Sequence, residues 1–145
     1  MAQRKENFYN PLDFEKDVAI GITLPFGKNK GLFSLSYTTE EQSISNLKNL
    51  LLTRKGERLF QPEFGSDVYS LMFEQMDADL STALDEQIRE DIGFWLPYIV
   101  IDKLTVTPDF DRNYVNISLD FKVTEQGANQ QITIFVDSAG TTTIE

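Results

Sequence analysis

Two side chains able to do acid–base chemistry share one short segment of this chain. Glu57 and Glu63 both lie in "TRKGERLFQPEFGSD", residues 53–67. Two carboxyl groups about 5–5.5 Å apart across a glycosidic bond would make a retaining glycosidase, and a wider gap an inverting one. Pro62, between them, allows the backbone to bring them together. A carboxyl flanked by cations favours its ionised form, the wrong one for a general acid. Arg54, Lys55 and Arg58 are those flanking cations. The pair is therefore a secondary alternative, a peptidoglycan-cleaving muramidase, and no residue is assigned as catalytic. The 145 residues include no Cys and no His. Disulfides, thiolate nucleophiles, Cys/His zinc sites and imidazole bases are thereby excluded. No Walker sequence, GxGxxG motif or nucleophile elbow occurs, and neither a metal nor a cofactor is expected.

The same segment also reads as a structural corner. Pro62 fixes φ, Gly65 can take a positive φ, Asp67 can cap the turn that follows, and Phe64 can plug the core. A plain corner does not need the charges of "RKGER". They suit contact with another chain, or pairing of Arg54, Lys55 and Arg58 with Glu57 and Glu63.

The net charge of −10 and pI near 4.4 argue against binding nucleic acid or an anionic membrane, and for a basic partner. Between Asp67 and Asp91 there are eight acids against one base, Arg89. Such a run is ordinarily a solvated face, and its functional version is an acidic patch that steers a basic subunit. No apolar run approaches the ~20 residues of a membrane span. The first residues lack the apolar core of a secretory signal, so synthesis and folding in a cytoplasm are expected.

The elements that must position these residues follow from periodicity. Residues 1–16 carry none and read as a flexible arm, leaving 17–145 as one domain. Val18, Ile20, Ile22 and Leu24 alternate as a short strand, and "LFSLSY" is a second extended piece. "TTEEQ" opens a helix, with Thr39 and Gln42 or Thr38 and Glu41 as its capping box. Ile44, Leu47 and Leu51 form its buried stripe, widened by Leu50 and Leu52. Arg54 and Lys55 suit its negative end, and Gly56 its C′ position. "VYSLMF" reads as a helical turn. A longer helix spans about Leu80 to Trp95, capped by Asp79, with Leu84, Ile88, Ile92 and Trp95 inward and Pro97 as its stop. Trp95 is placed in the core, and Tyr98 stays open between core and interface.

The last third changes period. Val115, Ile117, Leu119, Phe121 and Val123 alternate with polar residues as a half-wet strand. Ile99 and Ile101 sit on odd positions but Leu104 and Val106 on even ones, which predicts a β-bulge near Asp102–Lys103. Ile132, Ile134 and Val136 complete a three-stranded antiparallel meander covered by two helices. The class is α+β.

In order and wording these elements resemble the lysozyme-like baseplate wedge, or sheath-initiator, family of contractile-tailed phages, with relatives in type VI secretion baseplates. The resemblance runs from about Val18 to Val136. Its most specific block is "TRKGERLFQPEFG", where Thr53, Arg54, Gly56, Arg58, Pro62, Glu63, Phe64 and Gly65 match the family pattern. It implies a structural subunit of the virion's tail baseplate, assembled in the host cytoplasm, lying near the tail tube and templating the first sheath ring by strand sharing. Implied partners are other wedge proteins, the tail sheath protein and the tail tube. Implied contact residues are Arg54, Lys55, Glu57, Arg58, Pro62, Glu63, Phe64 and Gly65, with Pro97 and Tyr98. One departure stands out: the family often has Glu-Pro-Arg where this chain has Leu96, Pro97 and Tyr98. An unrelated adaptor whose acidic helix binds a basic protein is the remaining alternative.

Overall fold

The computed structural model describes residues 11–15, 17–24, 33–68, 70, 80–109, 114–123, 128–137 and 142–144. Two β-strands, β1 (Gly21–Ile22) and β2 (Leu35–Ser36), pair antiparallel as a small ribbon. Helix α1 (Thr39–Leu52) and helix α2 (Leu80–Trp95) follow. Strands β3 (Val100–Asp109), β4 (Tyr114–Lys122), β5 (Gln130–Asp137) and β6 (Thr142–Ile144) make one antiparallel sheet in chain order. The α+β class holds. The expected three-stranded meander gains a fourth strand, because residues 142–144 pair with Ile134–Val136. The N-terminal strand is shorter than its alternation from Val18 to Leu24 suggested: only Gly21 and Ile22 are strand, with Ile20 and Thr23 N–H bonding across to Ser36 O and Ser34 O, each at 2.8 Å.

Helix α1 begins as one of the two capping alternatives required. Thr38 is the N-cap, its hydroxyl accepting from Glu41 N–H at 3.2 Å, while the Glu41 carboxylate accepts from Tyr37 N–H at 3.1 Å. Gln42 instead accepts from the Ser36 hydroxyl at 2.6 Å, tying the ribbon to α1. Within the stretch read as a loose arm, Pro11–Phe14 form a 3-10 turn, and Asp13 accepts from Thr39 N–H at 2.9 Å and its hydroxyl at 2.8 Å. A carboxylate there meets orphan N–H groups and the positive helix end. Asp79 and most of "VYSLMF" lie outside the described residues.

One apolar cluster joins both helices to one face of the sheet. Leu47, Leu50 and Leu51 from α1 and Leu84, Ile88 and Ile92 from α2 meet Val115, Ile117, Leu119 and Phe121 of β4 and Ile132, Ile134 and Val136 of β5. The expected bulge is present: Ile101 pairs with Phe121 and Lys103 with Asp120, leaving Asp102 unmatched. That extra residue returns Leu104 and Val106 to the same face as Ile101, opposite Leu119 and Ile117. Asp102 then pairs with Lys122 at 2.9 Å. Trp95 and Tyr98 are half-buried against this core.

Candidate functional site: a braced loop beside α2

The chain leaves α1 at Thr53 and turns at once. Thr53 N–H still bonds to Asn49 O at 3.2 Å, and its hydroxyl to the same oxygen at 2.6 Å. Residues 54–66 then form a closed loop laced by backbone bonds: Gly56 N to Pro62 O at 2.7 Å, Gln61 N to Arg58 O at 3.2 Å, Phe64 N to Gln61 O at 3.0 Å and Ser66 N to Thr53 O at 2.8 Å. Gly65 has φ 129°, and a Cβ there would lie 2.5 Å from Thr53 O. Only glycine lets the two ends of the loop close so tightly. Gly56 also has a positive φ, 91°, but it serves this loop; it is not the C′ residue of α1, which ends four residues earlier, at Leu52.

Several residues expected at an interface are engaged internally. Arg58 donates to Asn49 Oδ1 at 3.2 Å and lies 3.8 Å over the Phe64 ring. Phe64 in turn meets Trp95 edge-on, ring centres 5.1 Å apart. Lys55 reaches Asp67 at 2.9 Å and Asp91 at 3.0 Å. The expected pairing of these cations with Glu57 and Glu63 is not what forms for Lys55 and Arg58. The reason is reach: α2 brings Asp91 beneath the loop, and a desolvated carboxylate gains more from a cation than an exposed one does. Asp67, expected as a cap, takes Lys55; Val68 N–H goes to the Ser66 hydroxyl at 3.3 Å. Burial lowers the Lys55 pKa, but its bonds to Asp67 and Asp91 outweigh that and hold it above the ordinary 10.5.

Glu57 and Glu63 are both exposed. Glu57 accepts from Arg54 N–H at 3.2 Å and closes the first turn of the loop. Glu63 lines a groove of about 430 Å³ together with Lys55 and Pro62 of the loop and Gln87, Glu90, Asp91, Phe94 and Trp95 of α2. Glu57 is not among the residues lining it, so the groove does not bring Glu57 and Glu63 together. Tyr98 is bonded from Asn46 at 3.1 Å, and Pro97 is exposed.

Three features escaped sequence reasoning. Asp91 belongs to the acidic run, yet it is only 4% exposed, with Gln87 donating to Oδ1 at 3.1 Å and Oδ2 without a partner among the described residues. Its signal was present: three residues after Ile88 and four before Trp95, it sits on the apolar stripe. Leu59 and Phe60, 94% and 100% exposed, form the tip of the loop. Phe94, 72% exposed, stands on α2 with its ring centre 5.0 Å from that of Trp95.

A model of the baseplate wedge protein gp25 family matches residues 38–128, the helices, this loop and the first two long strands. The chain belongs to that family. It is 33% identical to baseplate wedge protein gp25 of Enterobacteria phage T4 over 114 residues, 77% of this chain and 73% of the relative. The fold is shared with a Geobacter sulfurreducens protein described as a tail lysozyme, at TM-score 0.59 and 19% identity, covering 69% of this chain and 92% of that one. It is shared also with a chain of the anti-feeding prophage baseplate, at TM-score 0.51 and 20% identity, covering 75% and 77%. The loop at 53–67 and the wall of α2 that faces it thus lie wholly within the family's matched region.

Proposed function

We propose that this protein is a structural subunit of a contractile-tail baseplate wedge, and that the braced loop is a docking element. The observation that carries this reading is the loop's construction. Lys55, Arg58 and Phe64 are engaged within the fold, while Leu59 and Phe60 stand in solvent. Large apolar side chains on a preorganised support are what a binding hot spot needs, since little ordering entropy is lost on contact. Pro62, Glu63, Pro97 and Tyr98 border the same end of α2 and complete the contact surface, with Arg54 and Glu57 fixing its first turn.

The sheet supplies the second contact. β6 covers β5 only from Ile134 to Val136, so the outer backbone groups of residues 130–133 have no strand beside them among the described residues. β3 is the longer margin, but its bulge, Lys103 and Pro108 all discourage pairing. The reading therefore places strand sharing with a sheath subunit at β5, beyond β6, with the tail tube nearby. The muramidase alternative built on Glu57 and Glu63 is not part of it, because Glu63 faces the groove without Glu57.

Mixing the protein with wedge and sheath subunits of its own tail at low salt tests the proposal by size exclusion. Co-elution is expected for the wild type, and a loss of at least tenfold in complex for Leu59→Ser/Phe60→Ser. A folded monomer that joins neither subunit overturns it. In a cell-wall turbidity assay, clearing by the wild type that Glu63→Gln abolishes would establish the muramidase instead.

A further inference from the structure

The groove between the loop and α2 holds more negative charge than its own residues satisfy. Three carboxylates, Glu63, Glu90 and Asp91, line it against one amine, Lys55, which already contacts Asp67 and Asp91. Asp91 is the decisive member. It is nearly fully buried, yet Oδ2 has no hydrogen-bond partner among the described residues. A buried carboxylate oxygen left unbonded is costly, and the cost is relieved when a donor arrives. Phe94 and Trp95 add aromatic surface to the same wall. On α2, Gln87, Glu90, Asp91 and Phe94 fall at spacings of three, one and three, so they share one helical face.

We propose that this groove is the seat of an arginine side chain carried by a neighbouring baseplate protein. The inference rests on the assembly reading above and names the chemistry of one contact within it. A guanidinium suits the site better than an ammonium. Its plane stacks on the aromatic wall while its fork of N–H groups reaches carboxylates on two sides. Glu63 on the loop and Glu90 on α2 supply those two sides, and Asp91 lines the same groove. A volume of about 430 Å³ lies within the ~300–1,000 Å³ typical of pockets for small ligands, enough for the side chain and some of its backbone. The incoming cation also offsets part of the chain's charge of −10, so approach is steered and salt-sensitive.

Trp95 is the chain's single tryptophan, which makes its fluorescence a direct report on the groove. The full chain is titrated with a blocked Gly-Arg-Gly peptide, with lysine and citrulline versions as comparisons. A saturable change is expected, with the arginine peptide binding at least threefold tighter than lysine and tenfold tighter than citrulline. Glu63→Gln/Glu90→Gln, both exposed positions, should weaken arginine binding at least fivefold at unchanged Tm. Equal response to citrulline, no effect of the double variant, or no saturable response to arginine overturns the proposal. So does saturation by an N-acetylglucosamine trimer in place of the peptide. In the co-elution assay, Glu63→Lys/Glu90→Lys should lose complex that the wild type keeps. If the reversed variant still assembles fully, the arginine seat is wrong while the assembly reading stands. If the wild type fails to assemble, that reading falls and the titration still decides the groove.

Discussion

Lys55→Ala should be the most informative single substitution for stability. Lys55 is the counter-charge nearest the buried Asp91 carboxylate, 3.0 Å away, and its side chain is itself 30% exposed. Removing one partner of a buried pair costs about 3–5 kcal/mol, because the remaining charge is stranded. The partial exposure of Lys55 and the surviving bond from Gln87 pull the value to the low end, about 3 kcal/mol. Loss of the half-exposed Asp67 contact adds at most about 1 kcal/mol. At roughly 2–4 °C per kcal/mol for a chain of this size, Tm should fall by about 6–16 °C. Urea unfolding followed by circular dichroism measures the difference directly. The Lys55→Met/Asp91→Leu double variant removes both charges and should return to within about 1 kcal/mol of the wild type, because an apolar pair needs no desolvation. A pH series supplies the sign. The Lys55 pKa is raised in the fold, so its contribution is fully present below the ordinary 10.5 and is lost as pH climbs through the raised value. The gap between wild type and Lys55→Met should therefore be flat from neutral pH upward and shrink only above that range. A loss under about 1 kcal/mol for Lys55→Ala, or a double variant as unstable as the sum of its singles, refutes the pair as the brace.

Gly65→Ala should destabilise by about 2–3 kcal/mol, since φ 129° and the approach of Thr53 O both resist a Cβ, whereas Gly56→Ala, which meets only open space, should cost about 1 kcal/mol. Thermal unfolding of the two variants side by side checks the order. Thr38→Ala removes the N-cap of α1 and should cost about 1 kcal/mol by chemical denaturation. Phe121→Ala, at a fully buried site in β4, should cost about 3–5 kcal/mol and lower the yield of folded protein. Leu59→Ser/Phe60→Ser should shift Tm by less than the equivalent of about 0.5 kcal/mol, because neither side chain is buried, while still abolishing assembly.

What local pattern can encode was legible in the sequence. The alternation in β4 and the stripes of α1 and α2 appear in the structure as the buried faces of those elements. The parity flip between Ile101 and Leu104 located the bulge, because a period of two leaves no other way to keep both pairs on one face. Pro62 and Gly65 marked the corner, because backbone restriction belongs to the residue itself. Other features depended on what the fold brought near. Lys55 and Arg58 had acidic neighbours in sequence but found Asp67, Asp91, Asn49 and Phe64 instead, partners supplied by the packing of α1, the loop and α2. Glu57 and Glu63 looked like a pair because they are close along the chain, and the loop turned one to its own backbone and the other to the groove. Charge pairing is set by distance through space and by desolvation, neither of which a linear spacing specifies. The exposed tip of Leu59 and Phe60 likewise became visible only once the packing of the core had left those two side chains outside it.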